Sequence, residues 1–260
     1  GDGGAILWTG NNRILKNSNF NNNTVISDGG AVYWNGSNGT LSDSTFNGNS
    51  AGRNGAIYWS SNATNGKISG SIFINNSVNV AGGGVAWYGA NGSLTSSTFN
   101  NNVAGPYGGG IFWWGINGTL YDSTFSCNIA TDGGGVWWSG DKCKIVGSIF
   151  INNTAKSRGG GIAWSTTGTI SDSTFNGNIA KGWAGGSIFY FGPGVITNCS
   201  FINGKWINTY TQSNGIRALN NLTINGGNGV VELFVDGTLT GTSIVVLNNE
   251  TYYYPPNTNI

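Results

Sequence analysis

The 260 residues include 46 glycines but are only 8% charged, with a net charge of +1. A typical soluble domain is about 25% charged, and so neutral a chain offers no basic field for nucleic acid and no polybasic stretch for an anionic membrane. Histidine is absent, which removes the commonest general base and metal ligand, while 38% hydrophobic and 13% aromatic content is too much for a disordered chain.

Taken in chain order, one motif returns eight times. The first copy opens with Gly3-Gly4-Ala5-Ile6, has Trp8 two residues on, and continues through Leu15, Ser18, Phe20 and Asn23. The second copy keeps that order with Gly29-Gly30-Ala31-Val32, Trp34, Leu41, Ser44, Phe46 and Asn49. The third has Asn54-Gly55-Ala56-Ile57, Trp59, Ile68, Ser71, Phe73 and Asn76, with a longer turn from Ser60 to Gly66. Glycine pairs open the other five copies, whose phenylalanines are Phe99, Phe125, Phe150, Phe175 and Phe201, a step of 25 to 27 residues. In the last copy Tyr190, Cys199 and Gly204 replace the Trp, Ser and Asn.

Glycine and β-branched residues crowd every segment and no 3.6-residue period survives, which excludes a helical repeat. A propeller blade needs about 40 residues and four strands. Three short strands separated by Gly, Asn or Ser turns instead make one triangular coil, and the fold class is all-β: a right-handed parallel β-helix of about eight regular coils. Coils stack about 4.8 Å apart, so like residues pile into ladders of Phe, Trp and Asn.

The regular coils occupy residues 1–204. Degenerate coils or a C-terminal cap are expected over 205–250, and Tyr252 to Pro256 reads as the start of an exit linker over 251–260. No run of 18 apolar residues is available for a membrane span. Gly1 falls inside a repeat, with neither an initiator Met nor a signal peptide ahead of it, so the chain is expected to be a monomeric piece of a larger protein.

The pairing of GG[AG]I with FxxN, as in Phe20 to Asn23 and Phe46 to Asn49, resembles the polymorphic outer-membrane-protein repeat of bacterial surface autotransporters. The Asn-rich composition and the tail Val245-Val246-Leu247-Asn248-Asn249 are similar to the adhesin-like, Asn/Thr-rich surface proteins of methanogenic archaea. The resemblance implies an extracellular, cell-surface solenoid that binds a glycan or a surface protein of another cell.

Side chains alternate along a strand, so each Ile or Val and the Trp two residues later share a face. Their regular return marks that face as interior, and the residue between them points out. The outer column reads Leu7, Tyr33, Tyr58, Ala86, Phe112, Trp137, Ala163 and Phe189, and Tyr88 and Trp114 follow the Trp in the central coils. Exposed aromatic residues in a row flag a binding surface, and a flat row suits the apolar face of a pyranose ring or an aromatic-rich protein. The candidate ligand-binding residues are therefore Tyr33, Tyr58, Tyr88, Phe112, Trp114, Trp137 and Phe189. The alternative is that a loop, a neighbouring domain or a second copy covers this face.

β-Helices also host polysaccharide lyases and hydrolases, which makes each acidic residue a candidate. Asp43, Asp122 and Asp172 share the slot three residues before Phe, which Asn17 and Asn198 also fill, and such residues favour turns. Asp122 and Asp172 are two coils apart, about 10 Å, beyond the ~6.5–9.5 Å of an inverting pair. No catalytic residue, metal site or cofactor is expected. Asp28 and Asp132 at the glycine corners read as turn formers. Cys199 reads as a buried inert thiol, and a bridge between Cys127 and Cys143 stays open. Sequons such as Asn35-Gly36-Ser37 and Asn62-Ala63-Thr64 permit glycosylation without indicating it. The function expected is a surface adhesin-like module, with a carbohydrate-active enzyme and a purely structural stalk as alternatives.

Overall fold

The computed structural model describes residues 1–182, 185–190 and 194–202 in full, and beyond them the backbone of seven strands between residues 205 and 254. Every described element is a strand. Strands Ile6–Trp8, Val32–Trp34, Ile57–Trp59, Val85–Trp87, Ile111–Trp113, Val136–Trp138, Ile162–Trp164 and Ile188–Tyr190 form the first sheet, each parallel to its equivalent one coil away. Seven turns of a β-solenoid separate the first of these eight strands from the last. The register sets Trp34 on Trp59 and Trp113 on Trp138, so the recurrence of Trp in the sequence is a stack in space.

The expected three segments per coil are four in most coils. The aliphatic and phenylalanine segments are separate strands of one second sheet, as in Thr40–Ser42 and Thr45–Asn47. A left-handed residue separates them: Asn17, Asp43, Ser96, Asp122, Asp172 and Asn198 all have φ between 46° and 51°. Asn and Asp tolerate that region because their side chains hydrogen-bond locally, which accounts for the acid-or-amide slot. The third sheet consists of short strands after most of the Asn residues, such as Ser50–Ala51 and Ser77–Val78, in two runs that only isolated bridges through Val103 connect. Ala51, Val78, Ala104 and Ala130 form a small cluster of their own beneath it.

Two aromatic ladders fill the interior. Phe20 through Phe201 stack with ring centroids 4.6–5.1 Å apart and planes within 11°. Trp34 through Trp164 stack at 4.5–5.4 Å, within 14°. Isolated aromatic pairs favour offset or edge-to-face contacts worth about 0.5–1.5 kcal/mol beyond area burial; here the coil spacing imposes the parallel stack. A glycine four to seven residues after Trp34, Trp59, Trp87, Trp113 and Trp164 makes room for the indole. A Cβ at Gly39 would lie 2.4 Å from the Trp34 ring, and one at Gly92 2.5 Å from Trp87. In the sixth coil Cys143 holds that place, paired in register with Gly168. The long turn of the third coil brings the Ala63 carbonyl to the indole N–H of Trp59 at 2.8 Å. The indole N–H groups of Trp34, Trp87, Trp113, Trp138 and Trp164 are buried without a hydrogen-bond partner.

Polar ladders complete the packing. Each buried Asn after Phe accepts, on one side-chain oxygen, both the backbone N–H and the amide of the preceding coil's Asn. For Asn102 the donors are Asn76 N at 3.1 Å and Nδ2 at 2.9 Å. Its own Nδ2 donates to the Phe73 carbonyl at 2.9 Å and to Asn128 Oδ1 at 3.0 Å. Each Ser before Phe donates to the carbonyl two residues back and accepts a backbone N–H from the preceding coil, as Ser97 does with Thr95 O and Ser71 N. These networks leave the amide and hydroxyl satisfied, the condition under which burying them is not costly.

After residue 202 the parallel pairing continues: Ile188–Tyr190 pairs with Gly215–Ala218, and Gly194–Ile202 with Leu222–Gly229. Ser243–Leu247 then pairs antiparallel with Glu250–Tyr254, so the stretch expected as an exit linker begins as a strand. Gly204 and residues 255–260 lie outside the described residues.

Candidate outer aromatic face

Strand alternation sends Trp34, Trp59, Trp87, Trp113, Trp138 and Trp164 inward, and all are fully buried. The residues between them lie on the outer surface of the first sheet, in register: Tyr33 beside Tyr58, Tyr58 beside Ala86, Ala86 beside Phe112, Phe112 beside Trp137. Tyr33 and Tyr58 stack at 5.0 Å. The column is broken in sequence at Ala86 and whole in space. Tyr88 stands 5.2 Å from Tyr58 and 5.4 Å from Phe112, filling the gap that the alanine leaves.

Two of the seven expected ligand-binding residues are not exposed. Phe112 keeps only 5% of its surface and Phe189 only 3%. Phe112 is buried because three rings close around it: Tyr88, Trp114 at 6.0 Å and Tyr107 at 6.0 Å. Beside Phe189 lies the Arg158 guanidinium, 5.4 Å from the ring centroid. Nor is the row flat. The indoles from Trp34 to Trp164 lie within 14° of parallel, whereas the outer rings meet at 27–49°. Tyr33, Tyr58, Tyr88 and Trp137 are half-buried, and Trp114 is 56% exposed. Burial raises the phenols of Tyr33, Tyr58 and Tyr88 above the usual tyrosine range, so they remain hydroxyl donors.

Tyr107 was missed by the alternation argument because it stands in the corner before the glycines, not in the strand. Its ring lies 4.7 Å from Trp137. The corner column, read through the bridges, runs Asn54, Ala81, Tyr107, Asp132. A bulky ring in a column of small and polar residues is the signal that identifies it.

Acidic and sulfur groups have other surroundings. Asp28 pairs with Arg53 at 2.7 Å, and Asp132 with Arg158 at 2.6 Å. Asp43, Asp122 and Asp172 are exposed at their left-handed turns. The Asn198 amide holds Asp172 below the usual carboxylate range. All three cysteines are free thiols; burial pushes Cys143 up to about 11 and Cys199 up to about 12, while Cys127 is exposed.

No curated protein and no solved structure gives a significant match to the chain. Residues 43–58 and 96–112 match the Chlamydia polymorphic membrane protein repeat. Each stretch runs from a left-handed turn residue, Asp43 or Ser96, through the Phe strand and its buried Asn to the strand that opens the next coil. Over those two stretches the chain is similar to that family's repeat.

Proposed function

We propose that the chain is a cell-surface, extracellular adhesin-like module that holds a ligand, a glycan or a surface protein of another cell, against the outer face of its first sheet. The observation that carries this reading is the aromatic layer around Phe112, in which Trp114 and Tyr107 remain exposed on a rigid scaffold. Large apolar side chains gathered on a surface mark interaction sites. The similarity to a polymorphic membrane protein repeat supports surface display, as does the likeness of the Asn-rich composition to methanogen adhesin-like proteins. The module acts as a monomer and needs no cofactor.

We read it as non-enzymatic. A general acid needs a raised pKa, and Asp172 is shifted the other way. Attachment of the labelled chain to intact cells and to arrayed glycans and surface proteins tests the binding reading. Attachment that weakens several-fold in Trp114→Ala supports it, and attachment indifferent to that change overturns it.

A further inference from the structure

Resting on that reading, we infer that the outer aromatic face takes an uncharged polysaccharide, laid along the solenoid axis.

The first ground is charge. Residues 68–121 contain no Asp, Glu, Lys or Arg. This band holds Tyr88, Tyr107, Phe112 and Trp114, the centre of the patch. Two charge pairs at the ends of the aromatic row are neutralised within the protein: Arg53 lies 2.7 Å from Asp28, and Arg158 2.6 Å from Asp132 with two further hydrogen bonds to the same carboxylate. Uronate, sulfate or sialate groups need a cation with uncommitted donors, and bidentate Arg is the usual one. Here both arginines at the rim are committed to aspartates.

The second ground is the kind of surface. Protein partners of ordinary size bury about 800 Å² on each side, draw on Arg at their hot spots and are steered by complementary charge. The centre of the patch presents a few aromatic rings and hydroxyls, and residues 68–121 bring no charge to it. Pyranose rings carry one apolar face that stacks on an aromatic ring, and hydroxyls that pair with neutral donors. Tyr33, Tyr58 and Tyr88 supply such hydroxyl donors in a line, and Trp114 supplies an exposed ring.

The third ground is direction. From Tyr33 to Trp137 the rings follow the stacking axis over four coil steps, roughly 19 Å at about 4.8 Å a step. An extended sugar chain matches that track, and a single sugar would use only part of it.

Affinity electrophoresis of the whole chain through gels holding a neutral polysaccharide (a β-glucan, a mannan or a xylan) or an anionic one (alginate, polygalacturonate or heparin) tests the inference. The expected result is retardation by a neutral polymer that persists at about 0.5 M salt and falls about tenfold in the Tyr107→Ala/Trp114→Ala variant. Retardation by anionic polymers alone, lost in salt, overturns the inference and leaves the binding reading standing. Binding to a surface protein through Trp114 without any neutral polymer does the same. Retardation by a neutral polymer that is unchanged in the variant overturns both, as does failure to bind polysaccharides, proteins or cells. An unchanged unfolding temperature shows that the variant is folded.

Discussion

Tyr88 occupies the space that Ala86 vacates in the outer column. Its ring lies between those of Tyr58 and Phe112, although in sequence it belongs one step beyond the inward Trp87. The small residue and the displaced ring are therefore one device. Ala86→Phe should expel Tyr88 and cost about 1–3 kcal/mol, the range for overpacking a well-filled site. Urea unfolding measures it, and a neutral result would mean the gap is not filled.

The Phe ladder carries the core. Phe99 is fully buried between Phe73 and Phe125 at 4.6 and 4.8 Å. Phe99→Ala should lose about 3–5 kcal/mol. A loss under about 1 kcal/mol is incompatible with a ladder that supports the coils.

Asn102 tests the polar ladder in the same coil. Its removal strands the Asn76 N–H and takes a donor from the Phe73 carbonyl, while the Asn76 amide keeps the Phe46 carbonyl and Asn128 Oδ1 keeps the Asn102 N–H. A buried group left unpaired costs about 1–3 kcal/mol, so Asn102→Ala should lose at least that much in urea unfolding. Asn102→Asp should also destabilise, because a carboxylate cannot donate to Asn128.

Much of this was legible in the sequence because a solenoid turns recurrence into contact. Trp at a fixed step had to stack, and alternation then placed Tyr33 and Tyr58 outside. Alternation describes strands, however, and it is silent about corners. Tyr107 lies in a corner and Arg158 at the corner end of a third-sheet strand, so the ring and guanidinium packed beside Phe112 and Phe189 could not be read from it. The short third-sheet strands were equally hidden, since Ala51 and Ala130 look like turn residues until their ladder is seen. The role of the glycines opposite the indoles required knowing where the rings point.

Thiol chemistry gives a pH-dependent check. Cys143 and Cys199 have folded pKa values raised by burial to about 11 and about 12, from an ordinary thiol value of 9.0. Groups with raised folded pKa values contribute stability that is intact below the unfolded value and is lost as pH rises through the folded one. Stability should thus hold up to about pH 9 and fall between about pH 9 and 12. The fall should be smaller in Cys199→Ser. At neutral pH a thiol reagent should label Cys127 and spare the other two; labelling of Cys199 in the folded chain would contradict its burial.

The central claim is that neighbouring tryptophans face opposite ways, one building the solenoid and one meeting the ligand. The most direct measurement compares Trp113→Ala with Trp114→Ala, following unfolding and ligand attachment on the same samples. Trp113 is fully buried and Trp114 is 56% exposed. Trp113→Ala should lose about 3–5 kcal/mol of stability. Trp114→Ala should unfold within about 0.5 kcal/mol of the parent and lose attachment several-fold. The reverse pattern, with Trp114→Ala unfolding and Trp113→Ala stable but unable to attach, would show that the faces are inverted and that the Trp ladder is the binding surface.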